Sequence, residues 1–268
     1  MRGACARALV AVICAPLLSA PSAESRARSS RRPQRIYSGH DDIGNKYPYV
    51  VALLFLNIRK CSGTLIAPSW VLTAAHCDTV TSVQFGNMSV SPKDITSHSE
   101  LLKWFPHHGF RRILGPGKIQ NDIAMMLVEK VALDVYGSLA GVDYRTMSGL
   151  RVVYAGFGDT REKAGLDGLM ADLMRPLQVA GGVVVSCAAF GMSTPCMCVV
   201  PRCRSAQTVL PGDSGGPLLL DGKVVGVTHD MVKRPQVSMF MPVSPYLSWI
   251  QCAVREINFE FLASVHQI

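Results

Sequence analysis

The sequence predicts an all-β fold that ends in a helix, and three observations support this class. Short runs of β-branched and apolar residues are separated by Gly, Pro, Asn or Asp, as in strands joined by turns. Asp221-Gly222 lies between two such runs, and this dipeptide is a strong signal for a two-residue hairpin. Apolar residues near the end of the chain recur at helical spacing. With 268 residues, the chain can bury a large core without help from metals.

The predicted strands are short and are spread along the whole body of the chain. They cover residues 49–56, 63–66, 81–85, 123–128, 151–157 and 218–227. The final helix is predicted to begin with Ser244 as N-cap and Pro245 as the first helical residue. Its apolar positions are Tyr246, Leu247, Ile250, Val254 and Ile257.

The first 35 residues predict a processed leader. Arg2 and Arg7 precede an apolar run at 8–18 and then small residues, so 1–23 is predicted to be a secretory signal peptide. The run is too short to span a bilayer, and no later stretch is long and apolar enough, so we expect a secreted protein without a membrane anchor. Residues 24–35 are rich in arginine and serine and are predicted to be a removable pro-segment. An alternative function for this basic run is binding to nucleic acid or heparin.

The net charge supports the pro-segment interpretation. The whole chain carries +8, but residues 1–35 hold seven of its 27 Lys and Arg and only one of its 19 Asp and Glu. The remaining chain therefore has a net charge of only +2. We expect no nucleic-acid partner, since no basic stripe with aromatic residues is found.

Three motifs carry the chemistry. In Gly212-Asp213-Ser214-Gly215-Gly216-Pro217, a serine lies among small residues that let the backbone turn tightly. A serine hydroxyl needs a neighbouring base to act as a nucleophile, and Thr73-Ala-Ala-His76-Cys77 supplies a histidine. Asp122 precedes an apolar run. Each of these residues alone is compatible with a structural role, but the order His76, Asp122, Ser214 favours a catalytic triad.

The motifs, their order and their spacing resemble the chymotrypsin/trypsin family of serine proteases, from Ile36 to about Ile257. The resemblance implies two six-stranded antiparallel β-barrels with a C-terminal helix, formed by a domain at 36–268. It implies a secreted serine endopeptidase (a hydrolase) that acts on protein or peptide substrates and is subject to protein inhibitors. The alternative is a non-catalytic homologue that acts as a binding or cofactor protein, because some members of the family have lost activity.

The resemblance also implies roles for individual residues. Ser214 is the expected nucleophile, His76 the base and Asp122 the group that orients His76, with the backbone N–H groups of Gly212 and Ser214 as the oxyanion hole. Cleavage after Arg35 by a trypsin-like protease would free the amine of Ile36. This amine would then pair with Asp213 and turn an inactive zymogen into the enzyme.

The expected substrate pocket departs from the family pattern. Thr208 stands where trypsin-like members have an aspartate, so cleavage after Arg or Lys is disfavoured, and an apolar or small side chain is expected. Leu210 replaces a usual cysteine, and the segment 227–231 replaces the Ser-Trp-Gly run that pairs with substrate backbone. Val209, Met231 and Ser238 are the other predicted pocket residues, and Met231 is a residue that could close it.

Nine cysteines are present, of which Cys5 and Cys14 belong to the leader. The resemblance implies the disulfides Cys61–Cys77 and Cys187–Cys198, with Cys196 as an alternative partner of Cys187. The pairing of Cys196, Cys203 and Cys252 stays open, and one thiol is left over; a metal site at Cys196, Cys198 and Cys203 is less favoured than disulfides in a secreted chain.

The remaining sequence features predict no further active group. Asn87-Met-Ser is a sequon for N-glycosylation. No cofactor and no metal are expected. The other histidines are interpreted as surface or structural residues: His40, His98, His107, His108, His229 and His266.

Overall fold

A computed structural model describes residues 36, 39–91, 94–95, 97–112, 119–158, 175–190, 195–203, 205–232 and 236–255. The predicted signal peptide 1–23, the pro-segment 24–35 with Arg35, and the last residue of the predicted final helix, Ile257, lie outside this range. Among the described residues, no helix is long and apolar enough to cross a membrane.

Strands dominate the described part of the chain, where fifteen are found. They are β1 (His40–Asp41), β2 (Val50–Phe55), β3 (Ile58–Ala67), β4 (Trp70–Thr73), β5 (Ser82–Gln84), β6 (His98–Pro106), β7 (Arg111–Arg112), β8 (Ile119–Gln120), β9 (Ala124–Val128), β10 (Arg151–Gly156), β11 (Gln178–Val185), β12 (Met197–Pro201), β13 (Pro217–Leu220), β14 (Lys223–Val232) and β15 (Val237–Pro242).

The first half of the chain forms a closed antiparallel barrel in the order β2-β3-β4-β9-β6-β5. Five of the six residues of β2 are buried, because one face fills the barrel and the other packs on its surroundings. Leu53, Leu65, Leu72 and Met125 are fully buried in this core. Closure leaves no long strand edge open to solvent or to other chains.

The second half forms another closed barrel. Its strands follow the order β11-β10-β13-β14-β15-β12, and β12 pairs with both β15 and β11, so that the ring of six closes. The short β1 adds to β11 outside the ring. Tyr154 and Phe240 pack ring against ring in the core, with centroids 5.7 Å apart.

Both the expected fold class and the two six-stranded barrels are confirmed. The Asp221-Gly222 hairpin is present, with positive φ at both residues, as a type I′ turn requires. The expected helix start is wrong: Ser244–Tyr246 form a 3-10 turn capped by Val243 without a side-chain bond, and the helix occupies 247–255. Ser244 therefore lies inside the first turn and is not its N-cap.

The sequence analysis did not predict eight of these strands, namely β1, β4, β6, β7, β8, β11, β12 and β15. β11 contains Gly181-Gly182, and β6 contains Lys103 and Glu100, so neither has the composition of an isolated strand. Their strand character comes from neighbours on both sides. A Cβ at Gly182 would lie 2.3 Å from a methyl of Val199, so the glycine allows β12 to approach closely.

Candidate active site

His76 and Asp122 meet because two paired strands of the first barrel end side by side. Thr73 of β4 is opposite Ala124 of β9, so the residues that follow β4 and precede β9 lie together. Asp122 accepts hydrogen bonds from the backbone N–H of His76 (2.8 Å to Oδ1) and lies 2.6 Å from His76 Nδ1 through Oδ2. The carboxylate thus fixes both the backbone and the ring of His76.

The Asp122 carboxylate is fully buried and ionised. Burial by itself raises the pKa of Asp122, but hydrogen bonds from His229 and then His76, with the charges of both rings, hold it well below its usual range. A buried carboxylate with several donors is a fixed negative charge beside an imidazole. This is the arrangement that favours the Nδ1–H tautomer of His76.

Ser214 lies beside the histidine segment. Its carbonyl accepts a 2.8 Å hydrogen bond from the N–H of Ser62, and Ser62 is next to Cys61, the disulfide partner of Cys77. Ser214 is half-buried. Its hydroxyl makes no hydrogen bond to His76 among the described residues; such contacts often tighten only in the substrate complex.

Gly215 shows why the serine loop needs small residues. A Cβ at Gly215, which has φ +85°, would lie 2.0 Å from Thr73 Oγ1 and 2.2 Å from the Ser62 carbonyl. Only glycine allows the loop of the second barrel to approach β3 and β4 of the first this closely. The two barrels are therefore in contact directly behind Ser214.

The backbone N–H groups of the serine loop fall into two sets. Those of Asp213, Gly215 and Gly216 donate to carbonyls of the protein. Those of Gly212 and Ser214 donate to no protein acceptor in the described part of the chain. Gly212 has φ +97°, and Ser62 Oγ donates to its carbonyl (2.9 Å), which fixes the peptide. An arrangement of two such N–H groups on one loop is chemically able to bind an anion.

Asp213 is buried behind Ser214 and is held by backbone donors. Its carboxylate accepts hydrogen bonds from the N–H groups of Gly158 (2.7 Å) and Leu210 (2.8 Å). Ile36 is fully buried in the core of the second barrel, in one cluster with Tyr154 and Val209. Burial, and after it the charge of Asp213, raise the pKa of Tyr154, so the carboxylate lies close to that cluster.

The structure brings the four predicted pocket residues together. Thr208 and Ser238 are buried with their hydroxyl oxygens 3.1 Å apart, and Ser238 Oγ accepts from the N–H of Val209 (3.1 Å). Ser238 on β15 is paired with Met231 on β14, and Met231 is half-buried. The floor of this region is therefore a pair of neutral hydroxyl groups.

His229 is the residue that sequence reasoning missed. It was interpreted as surface or structural, but its Nδ1 lies 2.5 Å from Asp122 Oδ2, the oxygen that also faces His76. The available signal was the replacement of the usual Ser-Trp-Gly run, which places a histidine in the altered segment. Arg112 was missed too: its guanidinium binds the His76 carbonyl (2.8 Å) and Asp78 (3.2 Å) from β7.

Both expected disulfides, Cys61–Cys77 and Cys187–Cys198, are present. Cys196, Cys203 and Cys252 lie outside them. Burial raises the pKa of the Cys196 thiol to about 11, so this thiol is protonated at neutral pH. Asn87 is exposed, as a glycosylation site needs, and its side chain accepts from the N–H of Ser89 (3.1 Å).

Three groups of metal-ligand type occur in the described residues: Cys61-His76-Cys77, Cys187-Cys196-Cys198 and His76-Asp122-His229. The first two contain disulfide sulfurs, which are not thiolates. In the third, the nitrogen-to-oxygen distances of 2.5 and 2.6 Å are hydrogen-bond lengths. Two ligands of a tetrahedral zinc, each about 2.0 Å from the metal, lie roughly 3.3 Å apart. The geometry of this third group therefore fits hydrogen bonds between the imidazole nitrogens and the carboxylate. The expected absence of a metal stays a prediction.

Comparison with known proteins decides the family. The family model Trypsin matches residues 36–250. The chain belongs to the trypsin family of serine proteases. Among relatives, serine protease SP24D of Anopheles gambiae is 28% identical, over 84% of this chain and 85% of the relative. Human granzyme M is 28% identical (81% and 88%), and rat prostatic glandular kallikrein-6 is 27% identical (83% and 90%).

The fold comparison agrees. A solved structure of neuropsin, a serine protease expressed in the limbic system of mouse brain, matches with a TM-score of 0.71. The match covers 82% of this chain and all of that chain at 21% identity, which shows the same fold. With the family established, the chain is a serine-type endopeptidase, a hydrolase whose substrates are proteins.

Proposed function

We propose that this chain is a secreted endopeptidase that cleaves through Ser214, His76 and Asp122 after activation at Arg35. Ser214 Oγ attacks the peptide carbonyl while His76 takes its proton, and His76 then gives the proton to the leaving amine. Water repeats the sequence on the acyl-enzyme. Asp122 keeps His76 in the Nδ1–H tautomer and stabilises its cation.

One observation carries this proposal: the N–H groups of Gly212 and Ser214, which find no protein acceptor within the described part of the chain, lie on the loop of a half-buried serine. A buried or half-buried N–H without an acceptor is costly unless it serves a ligand. An oxyanion is the ligand that fits, because it develops on the carbonyl under attack. In comparable enzymes, removing one such donor costs about 10²- to 10³-fold in rate.

Activation is proposed to depend on Ile36. This β-branched residue has φ +43°, a conformation that costs about 1–3 kcal/mol. Hydrolysis of the bond before Ile36 removes this torsion and creates an ammonium group. The buried carboxylate of Asp213 is the proposed acceptor of that ammonium, and the pair would hold the adjacent Gly212–Ser214 peptides in shape.

The proposed preference is for an apolar or small side chain before the cut. The hydroxyl groups of Thr208 and Ser238 form a hydrogen bond with each other at the floor of the proposed pocket, and neither carries a negative charge. A buried Arg or Lys side chain of a substrate would lack a counter-charge there. The same argument means that the chain does not activate itself after Arg35 and needs a separate trypsin-like protease.

The test compares protein cut after Arg35 with its Ser214→Ala variant and with uncut Arg35→Ala protein. Each is incubated with a fluorophosphonate probe and a mixed peptide library. We expect labelling and cleavage only in the cut protein with Ser214 intact, with few cuts after Arg or Lys. Full activity of the uncut Arg35→Ala protein would contradict the zymogen, and correctly cut, folded protein without labelling would favour a non-catalytic binding homologue.

A further inference from the structure

Two histidines share one carboxylate oxygen in this site. Asp122 Oδ2 lies 2.6 Å from His76 Nδ1 and 2.5 Å from His229 Nδ1, while Oδ1 accepts from the His76 N–H. Both distances are short for nitrogen–oxygen hydrogen bonds, as expected when one partner is charged. Asp122 is fully buried and His229 nearly so, so water does not compete for these bonds.

A β-bulge directs His229 towards Asp122. Thr228 is opposite Phe240 on β15, and Asp230 is opposite the next residue, Met239, so His229 is the extra residue of β14. Bulges re-aim a side chain relative to the regular alternation and are common beside active sites. Successive side chains of a regular strand point to opposite faces, yet Thr228 and His229 are both buried here.

The same bulge is bound to the serine loop. The N–H and hydroxyl of Thr228 donate to the Gly216 carbonyl (2.8 and 3.0 Å), and the Thr228 carbonyl accepts from the N–H of Gly215 (2.8 Å). Two consecutive residues therefore fix the two sides of the site: Thr228 holds the loop that follows Ser214, and His229 holds Asp122.

We propose that His229 is a positioning residue, which donates its Nδ1–H to Asp122 and sets how strongly Asp122 acts on His76. This inference rests on the proposed function of His76, Asp122 and Ser214. With two donors on Oδ2, the negative charge of Asp122 interacts with both imidazole rings. The electrostatic stabilisation of the His76 cation by Asp122 is therefore weaker than it would be with His76 as the single donor from a ring. The second donor also prevents the carboxylate from rotating away from His76.

Few other charged groups face this cluster. Among the described residues, His229 is hydrogen-bonded to Asp122, and its ring lies 6.5 Å from that of His76 between centroids. The exposed guanidinium of Arg112 binds the His76 carbonyl (2.8 Å). The phenol of Tyr246 is near Asp122, and its pKa is raised mainly by burial. Asp230 follows on β14 but is exposed, and its carboxylate accepts from the N–H of Met231 (2.7 Å). The effect of His229 can therefore be read through Asp122 and His76.

Three variants of the activated enzyme test this role. His229→Asn places an amide N–H near the position of Nδ1 and cannot titrate, whereas His229→Leu has similar size and no donor. His98→Leu, an exposed histidine on β6, is the matched control. Activity is measured as kcat/KM against pH, and thermal unfolding shows whether each variant folds.

For His229→Leu we expect kcat/KM at the optimum to fall about 10- to 100-fold, mostly through kcat, as for loss of a hydrogen bond to a charged group. The acidic limb of the profile should move to higher pH, because the whole charge of Asp122 then acts on His76. His229→Asn should stay within about threefold of wild type, and His98→Leu should match wild type. A folded leucine variant with an unchanged limb, or an asparagine variant as impaired as leucine, would overturn the proposal.

A second readout does not need activity. Proton NMR of the folded protein should show two strongly shifted imidazole N–H resonances in wild type. One should remain, at a changed position, in His229→Leu. A single resonance that the leucine substitution leaves in place would contradict the shared carboxylate. If the wild-type enzyme cleaves nothing but shows both resonances, the proposed function fails while the hydrogen-bond arrangement stands.

Discussion

The two barrels contribute unequally to the site. The first barrel supplies His76 and Asp122, held by paired strands, a disulfide and three short hydrogen bonds on one carboxylate. The second barrel supplies Ser214, the N–H groups of Gly212 and Ser214 that have no protein acceptor among the described residues, and the predicted pocket residues Thr208 and Ser238. The first keeps the arrangement that the motifs predict, whereas the second departs from the family at Thr208, Leu210 and His229. Proton transfer tolerates little displacement, while a pocket can change with its substrate.

His229 shows that this division has an exception. It lies in the altered wall of the second barrel, yet its side chain ends on the aspartate of the first. The segment 227–231, which departs from the family pattern, therefore contacts the predicted catalytic triad. Substitutions in the first barrel, beside Asp213 and in the predicted pocket test this comparison between the two barrels.

The largest effect is expected for Asp122→Asn. In the wild type, both imidazole Nδ1–H groups donate to the carboxylate. The asparagine amide can instead present an N–H to these nitrogens, so His76 is no longer held as the Nδ1–H tautomer. We expect kcat to fall about 10⁴-fold, measured with a peptide cut by the activated wild type. Asp143→Asn, which alters an exposed carboxylate paired with Arg145, is the control and should leave kcat unchanged. A loss below about tenfold would show that the negative charge of Asp122 is not needed to keep His76 in its working tautomer.

Gly158→Ala tests the joint that supports Asp213. A Cβ at Gly158 would lie 2.5 Å from Asp213 Cγ and 2.7 Å from its backbone nitrogen, so the carboxylate must move. We expect a loss of about 1–3 kcal/mol in the free energy of unfolding, measured with urea, together with reduced activity. Gly141→Ala meets only a side-chain methyl at 3.4 Å and serves as control. Equal stability of the two variants would mean that Asp213 has room to shift.

Thr208→Asp tests the pocket floor. The new carboxylate would face Ser238 Oγ, which lies 3.1 Å from Thr208 Oγ1 and can donate to it. We expect kcat/KM for substrates with Arg or Lys before the cut to rise about tenfold. For substrates with an uncharged residue there, kcat/KM should fall. Thr208→Asn is the uncharged control. If both variants cleave after arginine equally, charge at this position does not set the preference.

The smallest effect concerns stability at low pH. Because the folded pKa of Asp122 lies well below the unfolded value of about 3.9, the stabilisation by its ionised form is complete above that value. It is lost as pH falls towards the folded pKa. In a Ser214→Ala background, the stability advantage over the Asp122→Asn double variant should be full at pH 5 and should shrink towards pH 2. Denaturant titrations at each pH give this difference, and a constant difference would refute the lowered pKa.

Much of the site was predictable because its groups come in short motifs. Gly212–Pro217, His76-Cys77 and Asp122 each carry a local signal, and their order completes the prediction. His229 has no local signal, since a single histidine in a strand is usually structural. The strands that were missed include β11 with its glycine pair, where pairing with the strands on both sides decides the conformation.

By itself, the sequence determined the fold class, the hairpin at Asp221-Gly222, the family and the residues that the family motifs contain. Only the tertiary structure decided that two histidines are hydrogen-bonded to one oxygen of Asp122, and that the hydroxyl groups of Thr208 and Ser238 are hydrogen-bonded to each other. It also decided which N–H groups of the serine loop donate to protein carbonyls, namely those of Asp213, Gly215 and Gly216. The reason is physical: turns and amphipathic runs are set by neighbours in sequence, whereas these contacts join residues 30 to 107 positions apart. Such contacts exist only after both barrels have closed.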